Sequence, residues 1–169
     1  MRDALPARAG YSNPALAAKL AAMHSHTPPH PLGRVLAVDD SPVMRMLVTA
    51  SLEALGYSVE AVDSGHAALE ASSREDFDAV ILDVDMPGLD GLAVGRALRS
   101  NPKTCASMIA MHTSLTEDFV RTGFDAYDIF LPKPCDARWL GECVDLMIRD
   151  HRRQGVLPFQ DEPLAPSQA

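Results

Sequence analysis

Short apolar runs alternate with longer amphipathic segments along the middle of this chain. Each run is too short for a helix and ends in turn residues, which predicts a strand. The runs are mostly continuous rather than alternating in polarity, and this pattern is typical of parallel strands covered on both faces of a sheet. The five predicted strands are 35–38, Ser58–Val62, Ala79–Leu82, 108–112 and 129–131.

The segments between these runs carry start and stop signals for helices. Ser41 and Pro42 supply an N-cap and a proline at the first helical position, and Gly56 is expected to stop that helix. Asp136 is a second candidate cap. The predicted helices are 42–55, 65–71, Gly91–Ser100, 116–122 and 137–149. Strand and helix therefore alternate five times, which predicts an α/β fold with a five-stranded parallel sheet and helices on both faces.

The regular pattern covers only part of the 169 residues. Residues 1–33 contain five prolines and no strand-like run, so we expect a flexible N-terminal leader, with a short docking helix as the alternative. Residues 34–150 form the predicted domain, and residues 151–169 are a polar, proline-containing tail. This length suits one domain with tails.

Composition excludes several classes of function. The net charge of −8 at pH 7 disfavours binding to nucleic acid or to anionic membranes, which needs a basic face. No apolar stretch reaches the ~20 residues of a membrane span. The cysteines Cys105, Cys135 and Cys143 lack metal-ligand spacing, so reduced thiols and a cytoplasmic location are expected.

Charged residues follow three of the predicted strands. Asp39 and Asp40 follow the first, Asp83 the third and Lys133 the fifth. The carboxyl ends of parallel strands share one edge of a sheet, where ligand sites collect. Clustered carboxylates repel one another unless a cation lies among them, and Mg2+ is a hard ion that prefers oxygen ligands. A carboxylate so placed can attack a phosphoryl group, so the sequence predicts a small phosphate-and-magnesium site.

At these positions the chain resembles the receiver domain of two-component response regulators. The matching motifs, in the family's order and at nearly its spacings, are Val38-Asp39-Asp40, Leu82-Asp83, Met86-Pro87, Asp90-Gly91, Thr113 and Lys133-Pro134. The resemblance covers about residues 34–149. It implies a (βα)5, flavodoxin-like, doubly wound fold.

The resemblance also implies a role for each residue of the acidic site. Asp83 would be the phosphoacceptor, and Lys133 would hold a phosphoryl oxygen. Asp40, Asp83 and the backbone carbonyl of Asp85 would coordinate Mg2+, and Asp39 would help directly or through water.

A conformational switch is implied as well. Thr113 would donate its hydroxyl to the phosphoryl group, and Phe130 occupies the position of the family's switch aromatic. Their movement would reshape the surface made by the fourth helix, the fifth strand and the fifth helix. The Lys133-Pro134 peptide bond is expected to be cis, as in the family.

From the resemblance we expect a stand-alone response regulator that receives a phosphoryl group from a histidine kinase or a histidine phosphotransfer protein. It would be a monomer or weak dimer with an unknown effector partner. It would not be a conventional enzyme, although it would catalyse its own phosphorylation and slow dephosphorylation. The sequence His112-Thr113-Ser114-Leu115 is similar to receivers attached to chemotaxis adaptors and methylesterases, which indicates a chemotaxis-like regulator.

Two other functions remain open at this point. One is a receiver-like adaptor that acts independently of phosphorylation. The other is a phosphatase, because Asp83-Val84-Asp85 after a strand also looks like the nucleophile motif of haloacid-dehalogenase-type enzymes. Labelling by a small phosphodonor separates the first from a phosphorylated regulator, and multiple-turnover ester hydrolysis identifies the second.

Overall fold

A computed structural model describes residues 32–154 of the chain. The predicted leader, apart from Leu32 and Gly33, and the tail from residue 155 onward lie outside the described residues. The described part contains one five-stranded parallel sheet, as predicted, and its strand order is β2-β1-β3-β4-β5. The strands are β1 Arg34–Val38, β2 Ser58–Val62, β3 Ala79–Leu82, β4 Met108–Thr113 and β5 Ile129–Pro132.

A helix follows each strand. The helices are α1 Pro42–Glu53, α2 Gly65–Arg74, α3 Gly91–Ser100, α4 Glu117–Gly123 and α5 Ala137–Arg153. Each begins where a side-chain oxygen accepts backbone N–H groups of the first turn, which would otherwise lack partners. These caps are Ser41, Ser64, Asp90, Thr116 and Asp136. Within residues 32–154, no helix is both long enough and apolar enough to cross a membrane.

The last helix is longer than the sequence pattern predicts. It continues past Arg149 to Arg153. Arg152 explains the extension, since its guanidinium contacts Asp78 Oδ1 at 2.7 Å and the backbone carbonyl of Leu32 at 2.5 Å. Asp78 lies in the loop before β3, and Leu32 lies just before β1. Both are far from Arg152 in the sequence, so a local pattern could not predict these contacts.

The sheet separates two apolar layers. Alternate residues along each strand point to opposite faces, so neighbouring residues enter different layers. On one face the core packs against α1 and α5, and on the other it packs against α2, α3 and α4. The largest fully buried side chains include Leu36, Leu52, Ile81, Leu82, Leu98, Ile109, Met111 and Leu140. A sheet covered on both faces is what the continuous apolar strands predict.

Strand register brings the ends of β1 and β3 side by side. Val38 pairs with Leu82, so the residues that follow them, Asp39 and Asp83, leave the sheet at the same level. The Asp83 N–H donates to the Val38 carbonyl at 2.9 Å. The same carboxyl edge receives the ends of β4 and β5, where the Lys133 N–H donates to the Thr113 carbonyl at 2.8 Å.

Candidate functional site

Three carboxylates converge at the carboxyl edge of the sheet. Asp39, Asp40 and Asp83 each place one oxygen within 4.8 Å of the others. Asp39 and Asp83 are only 4% and 6% exposed, whereas Asp40 is open to solvent. Two of the three charges are therefore held largely away from water, which is costly without a compensating cation.

Lys133 supplies part of that compensation. Its Nζ lies 2.6 Å from Asp39 Oδ2 and 2.8 Å from Asp83 Oδ2, and its side chain is 12% exposed. Burial on its own lowers the pKa of Lys133, but the hydrogen bonds and charges of the two aspartates outweigh it and raise the pKa above its ordinary value. One ammonium among three carboxylates leaves the cluster negative, so it is suited to a further cation.

Backbone groups orient the two buried carboxylates. Asp83 Oδ1 accepts from the N–H groups of Val84 at 2.7 Å and Asp85 at 3.4 Å, and Asp39 Oδ1 accepts from the Ser41 N–H at 2.9 Å. Each carboxylate thus uses one oxygen for the backbone and turns the other toward Lys133. The directions of the second oxygens are set before any ligand arrives.

Arg45 is a site neighbour that the sequence analysis did not select. Its Nη1 donates to the backbone carbonyls of Asp39 at 2.8 Å and Asp40 at 3.0 Å. A side chain on α1 leans toward the helix N-terminus, so a long donor near the start of this helix reaches back to the acidic loop. The position of an arginine near the start of this helix was therefore the sequence signal for this contact.

The other predicted site residues lie around this cluster. Thr113 is fully buried at the end of β4, and its Oγ1 accepts from the Leu115 N–H at 3.3 Å. Asp85 directs its N–H toward Asp83, as described above. Phe130 is half-buried on β5 and packs on the core layer beneath α2, α3 and α4, so it is not a member of the acidic cluster. The Lys133-Pro134 peptide bond is cis, as expected.

The side chains of His112 and Cys135 are in contact near Lys133. His112, on β4, is 1% exposed, and its Nε2 lies 3.4 Å from Cys135 Sγ. Burial, followed by the charge of Lys133, lowers the pKa of His112 to about 4, although Asp83 opposes the shift. Burial raises the pKa of the Cys135 thiol. Both groups are therefore uncharged at neutral pH, and sequence spacing gave no sign that they touch.

The start of α3 closes against the loop that carries Asp83. A Cβ on Gly91 would lie 2.0 Å from the Asp83 carbonyl oxygen and 2.9 Å from Val84 Cα, so only glycine fits there. The preceding turn passes through Gly88 at φ 81°, a conformation that glycine adopts without strain. The Met-Pro-Gly and Asp-Gly segments therefore shape the acidic site.

Comparison with known proteins agrees with this geometry. The family profile of the response regulator receiver domain matches residues 35–145. The chain belongs to this family. The solved receiver structures include the chemotaxis protein CheY4 of Vibrio cholerae, which is 31% identical at a TM-score of 0.64 and covers 68% of this chain and 97% of its own. The response regulator TrrA of Thermotoga maritima, solved with Mg(2+)-BeF, is 30% identical at a TM-score of 0.63, covering 69% and 99%.

The curated proteins that this chain resembles in sequence are longer than the matched region. The sensor protein GacS of Pseudomonas syringae pv. syringae is 37% identical over 119 residues, which are 66% of this chain but 13% of that protein. The response regulator MprA of Mycobacterium leprae is 43% identical over 102 residues, or 60% of this chain and 44% of that protein. The chain thus matches less than half the length of these relatives.

Membership of the receiver family defines the broad function. Receiver domains operate in two-component signalling and interact with histidine kinases or phosphotransfer proteins. They generally bind Mg2+ in an acidic pocket, and the cluster of Asp39, Asp40 and Asp83 is an acidic pocket of this kind.

Proposed function

We propose that this receiver accepts a phosphoryl group on Asp83 from a histidine kinase or a histidine phosphotransfer protein in a Mg2+-dependent reaction. The observation that carries the proposal is the placement of Lys133 Nζ between Asp39 and Asp83, at 2.6 and 2.8 Å, on the rim of a three-carboxylate cluster. A buried carboxylate beside a cation and a second, more exposed acid is equipped for nucleophilic attack on phosphorus.

In the transfer, a carboxylate oxygen of Asp83 attacks the phosphorus atom of a phosphohistidine. The new P–O bond forms as the P–N bond breaks, and the histidine nitrogen departs with the bonding electrons. Asp39, Asp40, Asp83 and the backbone carbonyl of Asp85 would hold Mg2+. When bound, that ion neutralises charge on the transferred oxygens.

Two residues of this chain would hold the transferred group. Lys133 contacts Asp83 already, so its ammonium would donate to a phosphoryl oxygen as the acyl phosphate forms. The Thr113 hydroxyl accepts one backbone N–H and keeps its own proton available for donation to another phosphoryl oxygen. The transfer therefore needs little beyond positioning and charge neutralisation.

Phosphorylation would be transmitted through one face of the sheet. Met111 pairs with Phe130 across β4 and β5, and Thr113 lies two residues beyond Met111 on the same face. Movement of Thr113 toward a phosphoryl group changes the packing available to Phe130. The α4-β5-α5 surface then shifts between two arrangements, and the new charge biases their populations.

The wider assignment rests on the same site. We place the receiver domain at residues 34–153, because α5 continues three residues beyond the predicted end of the domain at 150, with the leader at 1–33 and the tail after α5. The protein would act in the cytoplasm as a monomer or weak dimer and signal to an effector protein. It would catalyse only its own phosphorylation and slow dephosphorylation.

Intact-mass measurement after incubation with acetyl phosphate tests the proposal. The wild type gains one phosphoryl group with Mg2+ and none after chelation, and Asp83→Asn stays unlabelled. Asp76→Asn, which alters an exposed carboxylate in the loop before β3, is the matched control and labels like the wild type. Labelling of Asp83→Asn to the same extent as the wild type would overturn the assignment.

This labelling experiment and an ester-hydrolysis assay together separate the alternatives. A phosphorylation-independent adaptor stays unlabelled in every variant. A haloacid-dehalogenase-type phosphatase releases phosphate from an ester over many turnovers, whereas a receiver loses the group from Asp83 only slowly. Multiple-turnover release of phosphate from p-nitrophenyl phosphate would favour the phosphatase.

A further inference from the structure

His112 and Cys135 connect the two chain segments that flank the acceptor site. His112 immediately precedes Thr113 on β4, and Cys135 lies two residues after Lys133. Their side chains approach to 3.4 Å between Nε2 and Sγ, a hydrogen-bond distance for sulfur. The contact therefore joins the neighbours of two proposed phosphoryl ligands.

Few other bonds tie the segment after β5 to β4. The Lys133 N–H donates to the Thr113 carbonyl at 2.8 Å. Pro134 has no N–H and adds no donor. The His112–Cys135 contact is the next link along the segment. The backbone around Lys133 is therefore held to β4 by one backbone hydrogen bond and, two residues later, by one side-chain contact.

The pair holds this segment without adding charge. His112 is buried and neutral, and the partly buried thiol of Cys135 keeps its proton at neutral pH. A cationic histidine would compete with Lys133 for Asp83, and a thiolate would draw the ammonium away. A neutral pair leaves the ammonium of Lys133 directed only at the carboxylates.

We propose that His112 and Cys135 are positioning residues of the acceptor site, and that their side-chain contact fixes Lys133 over Asp83. This inference rests on the proposed function. Neither side chain touches the transferred group, so both act through Lys133. Loss of the contact would let the ammonium of Lys133 shift from its position over Asp83. Phosphoryl transfer would then be slower, because displacing a charge-stabilising group by a fraction of an ångström lowers the reaction rate.

The test compares variants that remove or keep the hydrogen bond. Cys135→Val removes the hydrogen bond, and Cys135→Ser keeps a group that can donate to or accept from His112 Nε2. Cys143→Val is the matched control, since Cys143 is also partly buried against the α1–α5 core layer. Rate constants for labelling by acetyl phosphate at saturating Mg2+ are measured for each full-length variant, together with thermal melting.

We expect Cys135→Val to be slower by about tenfold, as is usual for residues that orient a site group. Cys135→Ser recovers to within about threefold of the wild-type rate because a hydroxyl can donate to or accept from the imidazole. Cys143→Val labels at the wild-type rate. Equal rates for Cys135→Val and the wild type, or equal losses in the two valine variants, would overturn the inference.

A double-mutant cycle distinguishes positioning from general structural damage. If Cys135 acts through Lys133, Cys135→Val causes no further slowing in a Lys133→Ala background. A similar slowing in both backgrounds contradicts the proposal. The proposed function fails separately, when the wild type itself gains no phosphoryl group at Asp83.

Discussion

Lys133 Nζ lies 2.8 Å from Asp83 Oδ2, although the two residues follow different strands with β4 between them. The same ammonium lies 2.6 Å from Asp39 Oδ2. Because both carboxylates are buried, removing Lys133 would leave them without this cation in the absence of a metal ion or phosphodonor.

Lys133→Met should therefore destabilise the protein in the absence of Mg2+. Removing one partner of a buried ion pair leaves unpaired charge and costs about 3 kcal/mol of unfolding free energy. Added Mg2+ should restore more stability to the variant than to the wild type, because the ion compensates the same carboxylates. Urea unfolding with and without Mg2+ measures both effects.

Lys103→Met is the control, because Lys103 is half exposed and its ammonium contacts only groups near the surface, Asp76 at 4.0 Å and the Ser73 carbonyl at 2.8 Å. Its stability should change little, since exposed pairs contribute less than about 1 kcal/mol. Identical increments from Mg2+ in Lys133→Met and the wild type would contradict the prediction.

His112 should make stability depend on acidity. Its pKa falls from 6.5 to about 4 on folding, so the unfolded chain binds the proton more strongly. The neutral histidine's contribution is complete above about pH 6.5 and is lost progressively as the pH falls toward 4, by about 3 kcal/mol at most. The free energy of unfolding, measured from pH 7 to pH 4, should therefore fall more steeply for the wild type than for His112→Asn. If the two proteins show the same pH dependence of stability, His112 is not its cause.

Arg45→Gln should weaken Mg2+ binding. The guanidinium holds the carbonyls of Asp39 and Asp40, and its loss frees the loop that presents two carboxylates. Support of this kind is worth about tenfold in metal affinity. Phosphorylation should be slow at low Mg2+ and recover at saturating Mg2+.

Arg96→Gln serves as its control, because Arg96 also donates from a helix to a backbone carbonyl, that of Gly123 at 2.6 Å, but at the α3–α4 contact. The Mg2+ dependence of this variant should match that of the wild type. Equal Mg2+ dependence in Arg45→Gln would remove the assigned role of Arg45.

Gly91→Ala should disturb the site through simple overlap. The added methyl group would meet the Asp83 carbonyl at 2.0 Å, and overpacking against backbone costs about 2 kcal/mol. Labelling of Asp83 should slow as its loop moves. Gly88→Ala meets nothing within 4 Å and should cost only the strain of its positive φ, about 1 kcal/mol. Thermal unfolding and the labelling rate of the two variants should separate overlap from strain.

Local pattern was sufficient for most of the architecture. Continuous apolar runs bounded by turn residues predicted the strands, and Ser41 and Asp136 predicted helix starts that the structure confirms. These signals are local because strand burial and N-capping depend on a few consecutive residues. Asp39, Asp40, Asp83 and Lys133 were also selected from their positions after strands, and the structure brings them together.

Contacts between distant segments were decided only by the tertiary structure. The end of α5 depends on Arg152 meeting Asp78, and the links of Arg45 to the acidic loop and of Cys135 to His112 depend on how helices and strand ends pack. The sequence by itself determined which residues carry charge and where each element begins. Which side chains meet, and which lose their charge through burial, depends on distances and desolvation that exist only once the sheet has assembled.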